Sequence, residues 1–223
     1  MQPFNLVGPP AQSYGPGTQP QQRGGQLGDT IVSELHGRFY EQVYRGNVYS
    51  NGMSVTALTA NTISLTNTTT PVLGVYNPST SSVNLVILQA AITVVPNNLT
   101  SGAGPGVFVL ASSTGNAAIS TGTAPFNRKT MTSAGSQAKG MAFQALTGLT
   151  NNLVIFEGIE FATPAGLTYT TLASTAPFTE YSSIKNFDGS LIVPPGGILA
   201  VLNTTSCTTF SVAGRLLWEE VPL

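Results

Sequence analysis

From about residue 55 to the C-terminus, every apolar run is cut after one strand's length by a cluster of Gly, Asn, Pro or Ser. This cadence restricts the fold more than any other property of the chain. A buried helix needs an uninterrupted 3.6-residue period over about three turns, and a membrane span needs about 20 apolar residues. The longest apolar stretch, Leu85 to Val95, already contains Gln89 and Thr93. Many short strands separated by turn formers predict an all-β fold, a jelly-roll-like β-sandwich.

Strands are expected at 71–76, 83–95, 107–111, 153–161, 190–193, 198–202 and 210–218. Asn77 to Ser82 are turn formers, so the first two runs read as a hairpin. Pro194-Pro195-Gly196-Gly197 marks a tight turn between two apolar strands. In the 83–95 run, Val86, Leu88, Ala90, Ile92 and Val94 share the wholly apolar phase and are expected to face the core. In the last run Phe210, Val212, Gly214, Leu216 and Trp218 share one face, with Trp218 as the large core piece. Ser211, Ala213, Arg215 and Glu219 take the other.

Two stretches read differently. Ala138, Met141, Ala142, Ala145 and Leu149 fit a helical stripe within 133–149, although Gly135 and Gly140 weaken it. Residues 29–49 carry Arg38, Tyr40, Tyr44 and Arg45; a helix capped by Asp29, with Ile31, Leu35 and Phe39 on one stripe, is one reading, but Gly37 and the aromatics favour an extended segment. Residues 1–28 are crowded with Pro, Gly and Gln. Such a sequence cannot bury enough apolar surface to offset its ordering entropy. We expect an extended N-terminal arm over 1–28 and a sandwich domain over 29–223. The arm would be ordered by a neighbouring subunit, with Phe4, Leu6, Val7 and Tyr14 as anchors.

Charge is scarce. Asp, Glu, Lys and Arg make up 8% of the 223 residues, against roughly 25% in an ordinary soluble domain. With a net charge of −1 there is no electrostatic case for nucleic acid or an anionic membrane as partner. The single cysteine, Cys207, allows no intrachain disulfide, and the single histidine, His36, makes a His-based metal site untenable. No serine sits in a nucleophile elbow. Glu157 and Glu160 diverge on one strand unless a bulge intervenes, and Glu219 and Glu220 diverge too. The glycine-rich stretches at 24–28 and 102–106 lack the Lys-Ser/Thr of a phosphate loop. We therefore expect no enzyme, cofactor or metal. Glu157 falls in the phase of Leu153, Ile155, Ile159 and Phe161. A carboxylate there should pair with an arginine or sit at a subunit contact, and we expect the contact.

The stretch His36-Gly37-Arg38-Phe39-Tyr40-Glu41-Gln42-Val43-Tyr44-Arg45-Gly46-Asn47, then Asn84 to Leu88, Leu191 to Gly197, and the terminal Trp218 to Pro222 together resemble the decoration, or cement, proteins of tailed-bacteriophage capsids. The resemblance runs from about residue 30 to the end. It implies a β-rich virion subunit, often a homotrimer, that clamps neighbouring capsomers on the capsid surface after assembly in the host cytoplasm. Its partners would be the major capsid protein and copies of itself. The arm, with Arg38, Tyr40, Tyr44, Arg45 and Glu157, would make the contacts. The alternative expectation is a tail, fibre or host-glycan-binding virion component.

Overall fold

The computed structural model describes residues 39–55, 70–96, 108–119, 121–142, 146–159, 181–203 and 210–223. The arm residues Phe4, Leu6, Val7 and Tyr14, together with Arg38, lie outside them. The chain divides into units Met1–Glu41 and Gln42–Leu223, and the sandwich lies in the second.

One short helix, α1 (Tyr40–Arg45), precedes the strands. Within 39–49 this corrects the expectation of an extended segment. Gly46 is the reason: at φ 86 it takes the left-handed position that ends a helix. Its N–H donates to Val43 O at 3.0 Å, and the Asn47 N–H donates to Gln42 O at 3.1 Å, which closes the last turn.

Ten strands follow: β1 (Val48–Val55), β2 (Leu73–Tyr76), β3 (Val83–Pro96), β4 (Phe108–Ser113), β5 (Phe126–Asn127), β6 (Lys139–Ala142), β7 (Val154–Ile159), β8 (Tyr181–Val193), β9 (Ile198–Asn203) and β10 (Phe210–Pro222). They form two five-stranded antiparallel sheets, ordered β5-β1-β10-β3-β8 and β6-β2-β9-β4-β7. Setting aside the short β5 and β6, successive strands alternate between sheets except at β4 and β7, which pair in the second sheet, as in a jelly roll. The expected hairpin of 71–76 with 83–95 is therefore corrected. β2 pairs with β6 and β9, whereas β3 pairs with β10 and β8. The 77–82 loop crosses between sheets, and so does the 194–197 turn.

The main core lies between the sheets. Leu73, Val75, Phe108, Leu110, Leu199 and Val201 meet Leu85, Ile87, Ala90, Ile92, Val94, Val212, Leu216 and Trp218 there, all buried. Trp218 is fully buried, as its phase predicts. In β3 the expected phase holds only for Ala90, Ile92 and Val94. Leu88 is skipped in the pairing with both β10 and β8, so it forms a bulge. Before the bulge the inward residues are Val83, Leu85 and Ile87, and Val86 turns outward.

The expected helix over 133–149 is also corrected. Among its described residues, Lys139–Ala142 form β6 and none is helical. Its apolar residues are split between cores: Ala138 joins the main one, and Met141 and Leu149 a second. Ile119, Leu146, Leu149 and Leu153, from the long β4–β7 connection, pack with Tyr76, Ala111, Met141, Ile198, Ala200 and Leu202. Alternation puts these strand residues on the side of their sheet away from the main core. The connection thus covers the outer face of the second sheet. The buried Asn116 fastens it there: its Oδ1 accepts from Thr150 N and Asn151 N, and its Nδ2 donates to Ser113 Oγ and Gly196 O.

One polar clamp joins the two sheets. Asn51 of β1 is buried, and its Nδ2 donates to Gly74 O at 3.1 Å and to Met141 O at 2.7 Å. Gly140 lies against the same amide.

Candidate functional site

The first sheet differs from the second in what its outer face carries. Directly opposed residues in an antiparallel pair point to the same side, so the registers give that face row by row. One row reads Phe126, Ser50, Leu217, Gln89 and Asn186 across β5, β1, β10, β3 and β8. On one side of it runs Gly52, Arg215, Ala91 and Ile184, then Ser54, Ala213, Thr93 and Ser182. On the other runs Val48, Glu219, Val86 and Ile192. Among these strand residues only Arg215 and Glu219 are charged.

The rows are unequal in bulk. Gly52, Ala91, Thr93, Ser182 and Ala213 make the floor of a trough of about 470 Å³, flanked by Met53, Ile184 and Arg215. Leu217 stands in the central row, and Val86 and Ile192, also larger, stand on its far side. Ile184 and Ile192 are 58% and 54% exposed, and Phe126 is 54% exposed. A polar ladder ties three strands together along this face. Arg215 Nη2 donates to Gln89 Oε1 at 2.6 Å, and Gln89 Nε2 donates to Asn186 Oδ1 at 2.7 Å. The ladder fixes the Arg215 guanidinium in place before any partner arrives. Burial pushes the Glu219 carboxyl above its usual range, and the nearby Arg45 pulls it back. Glu220, next in sequence, points the opposite way and is buried. It accepts from Ser136 Oγ and from the Gln137 N–H. These two carboxylates diverge, as their adjacency predicts.

Glu157 sits on the open side of the sandwich, where β7 and β8 are the outermost strands of their sheets. It is ion-paired with Lys185 of β8, so its partner is a lysine and not an arginine. Lys185 also donates to Gly158 O. The phase expected for Glu157 is broken: Phe156 is skipped in the pairing with β4, which puts Ile155 and Glu157 on opposite faces. Ile155 packs against the second core, while Ile159 belongs to the first. Tyr40 and Tyr44 are exposed on α1, with the Lys129 ammonium 5.0 Å from the Tyr44 ring centroid. Arg45 lies beside Glu219. Of the expected contact residues that are described, then, Arg45 is the one beside this face. The signal for that face was present in the sequence as the polar phase of 210–219. It becomes a surface only when β1, β3 and β8 are laid beside it.

Among the described residues no group of three or more His, Cys, Asp or Glu is arranged to hold a metal ion. No described helix is long and apolar enough to cross a membrane. Comparison with protein-family models, with curated proteins and with solved structures finds no match to this chain.

Proposed function

We propose that this chain is a structural subunit of a tailed-phage virion, one that decorates the capsid and stabilises it by binding between capsomers. The observation that supports this most is the bare outer face of the first sheet. Over β10, β3 and β8 it is open and made largely of small, hydroxyl-bearing and apolar side chains, with Arg215 and Glu219 the charged ones on these strands. Contacts built from such residues hold subunits together without desolvating charge. The sequence points the same way, since a chain with 8% charge gives up the repulsion that keeps free proteins apart. Its partners in this reading are the major capsid protein and copies of itself, and the resemblance implies trimers. Among the described residues no aromatic ring lines the trough, whereas small-ligand sites usually rely on aromatic and hydrophobic walls. That favours a protein partner over a host glycan.

The test is co-sedimentation of the purified protein with expanded capsids assembled from the shell protein encoded beside it. We expect saturable, stoichiometric binding and capsids that survive higher temperature. Failure to bind, together with absence of the chain from purified virions by mass spectrometry, would refute the proposal.

A further inference from the structure

We propose that the trough on the first sheet receives an acidic side chain of the capsid shell protein, with Arg215 as the residue that takes its carboxylate. The inference deepens the capsid-binding reading and rests on it. Arg215 stands beside a floor of Gly52, Ala91 and Ala213, small residues that leave a space of about 470 Å³ above them. That lies within the roughly 300–1,000 Å³ of ordinary ligand pockets. The trough belongs to the open part of the face: Gly52, Ala213, Ser182 and Ile184 are all exposed. A guanidinium carries five N–H donors in a rigid fork. Among the described residues Arg215 makes one hydrogen bond with them, to Gln89 Oε1, and Asn186 holds that amide in turn. The charge is fixed in place without being neutralised. Glu219 stands four residues along β10, about 13 Å away, and lies beside Arg45. At that range physiological salt screens an exposed pair.

A fixed guanidinium suits a planar carboxylate, which it grips through two parallel hydrogen bonds. Met53 and Ile184 flank the trough with apolar surface that can pack on the methylene stem of an Asp or Glu. From β1 to β8 the strands beneath span about 14 Å, enough for about four residues of extended chain. A second copy of this chain is poorly equipped to supply the acid. Among the described side chains Glu157 is paired with Lys185, Asp188 is already engaged, Glu219 lies beside Arg45 and Glu220 is buried. The carboxylate therefore comes from another protein, and in the capsid-binding reading that protein is the shell.

The experiment titrates the full chain against expanded capsids by co-sedimentation. Arg215→Glu sets carboxylate against carboxylate and should weaken binding about a hundredfold. Arg215→Lys keeps the charge but loses the fork, and should weaken it about tenfold. Ala213→Phe fills the trough with Arg215 intact and should weaken binding at least as much as the lysine variant. Arg128→Glu makes the same charge change at an exposed site off the trough and should bind as wild type does. Circular dichroism matching wild type shows that each variant is folded. Carbodiimide condenses an amine with an adjacent carboxylate to an amide. Capsids carrying the Arg215→Lys variant should therefore yield, by mass spectrometry, a link from position 215 to an Asp or Glu of the shell protein. Wild type that does not bind the capsids would overturn this inference and the capsid reading together. Three outcomes would overturn this inference alone: binding that Arg215→Glu and Ala213→Phe leave unchanged, an equal loss in Arg128→Glu, or a link from position 215 to another copy of this chain and none to the shell.

Discussion

Replacing Gly140 with alanine should destabilise the sandwich only when Asn51 is present. A Cβ at Gly140 would lie 2.6 Å from Asn51 Cγ, 2.8 Å from its Oδ1 and 3.0 Å from its Nδ2. The first two are closer than a Cβ is found to approach another atom, so the amide has to shift. It then abandons Gly74 O and Met141 O, the carbonyls it binds across the sandwich. Two buried hydrogen bonds lost, with their acceptors stranded, cost about 2–4 kcal/mol. Gly140 is not among the positive-φ glycines, so alanine meets no backbone strain there. Asn51→Ala alone removes the same bonds and should cost about the same. In the double variant the new methyl occupies space the amide has left. The total should stay near that of Asn51→Ala, with a coupling of about 3 kcal/mol. Urea unfolding reads this directly, because Trp218 is the sole tryptophan and is fully buried. Its emission shifts to the red only when the core opens. Each single variant should lower Tm by about 6–12 °C. Additivity of the two substitutions within about 0.5 kcal/mol would show that the clamp and the glycine are independent, and the argument would fail.

Deleting Leu88 removes the bulge but restores plain alternation, because Ile87 and Ala90 then fall two residues apart and Leu85, Ile87, Ala90 and Ile92 all keep facing the core; the fold should survive at the cost of one buried leucine, and loss of soluble yield or of the β signal in far-UV circular dichroism would refute this. Burial raises the Tyr49 phenol above its ordinary 10.0, with Glu220 adding to the rise and the Asn127 hydrogen bond opposing it. A raised folded-state value means the stabilising contribution is complete below pH 10 and is lost as pH climbs through the folded value. Stability should therefore fall in alkali, and Tyr49→Phe should flatten that fall; a slope unchanged in the variant would refute the assignment. Lys185→Met and Glu157→Gln each break a partly exposed ion pair and should cost less than about 1 kcal/mol, shrinking further in high salt. A loss of several kcal/mol in the urea midpoint would mean the pair closes the open side of the sandwich more firmly than its exposure implies.

The all-β class, the strands near 71–76, 198–202 and 210–218, and the burial of Trp218 were legible because each follows from a local period of two. What failed, failed for reasons of the same kind. A bulge adds one residue and leaves no mark in composition, so the phase of β3 was right for Ala90 to Val94 and inverted before it. The 77–82 loop looks like a hairpin turn because turn chemistry is alike whether a chain returns to its own sheet or crosses to the other. The stripe from Ala138 to Leu149 matched a helix because a segment lying over a sheet also buries residues irregularly. Gly46 holds a signal for the end of α1, but the expectation there was drawn from the aromatics. The candidate face could not be read from any one segment. Arg215 and Glu219 are visible as outward residues of the last strand, but their uncharged surroundings come from strands up to some 165 residues earlier in the chain.

Sealing the second sheet with the β4–β7 connection also determines how far association can proceed. A sandwich bare on both sides would stack on its neighbours without limit, each new member presenting a fresh plane to the next. A molecule with one side closed offers its neighbours only the other. Loosening Asn116, which pins the cover down, would bare the closed side too, and the penalty for a weakened lid would be fibres.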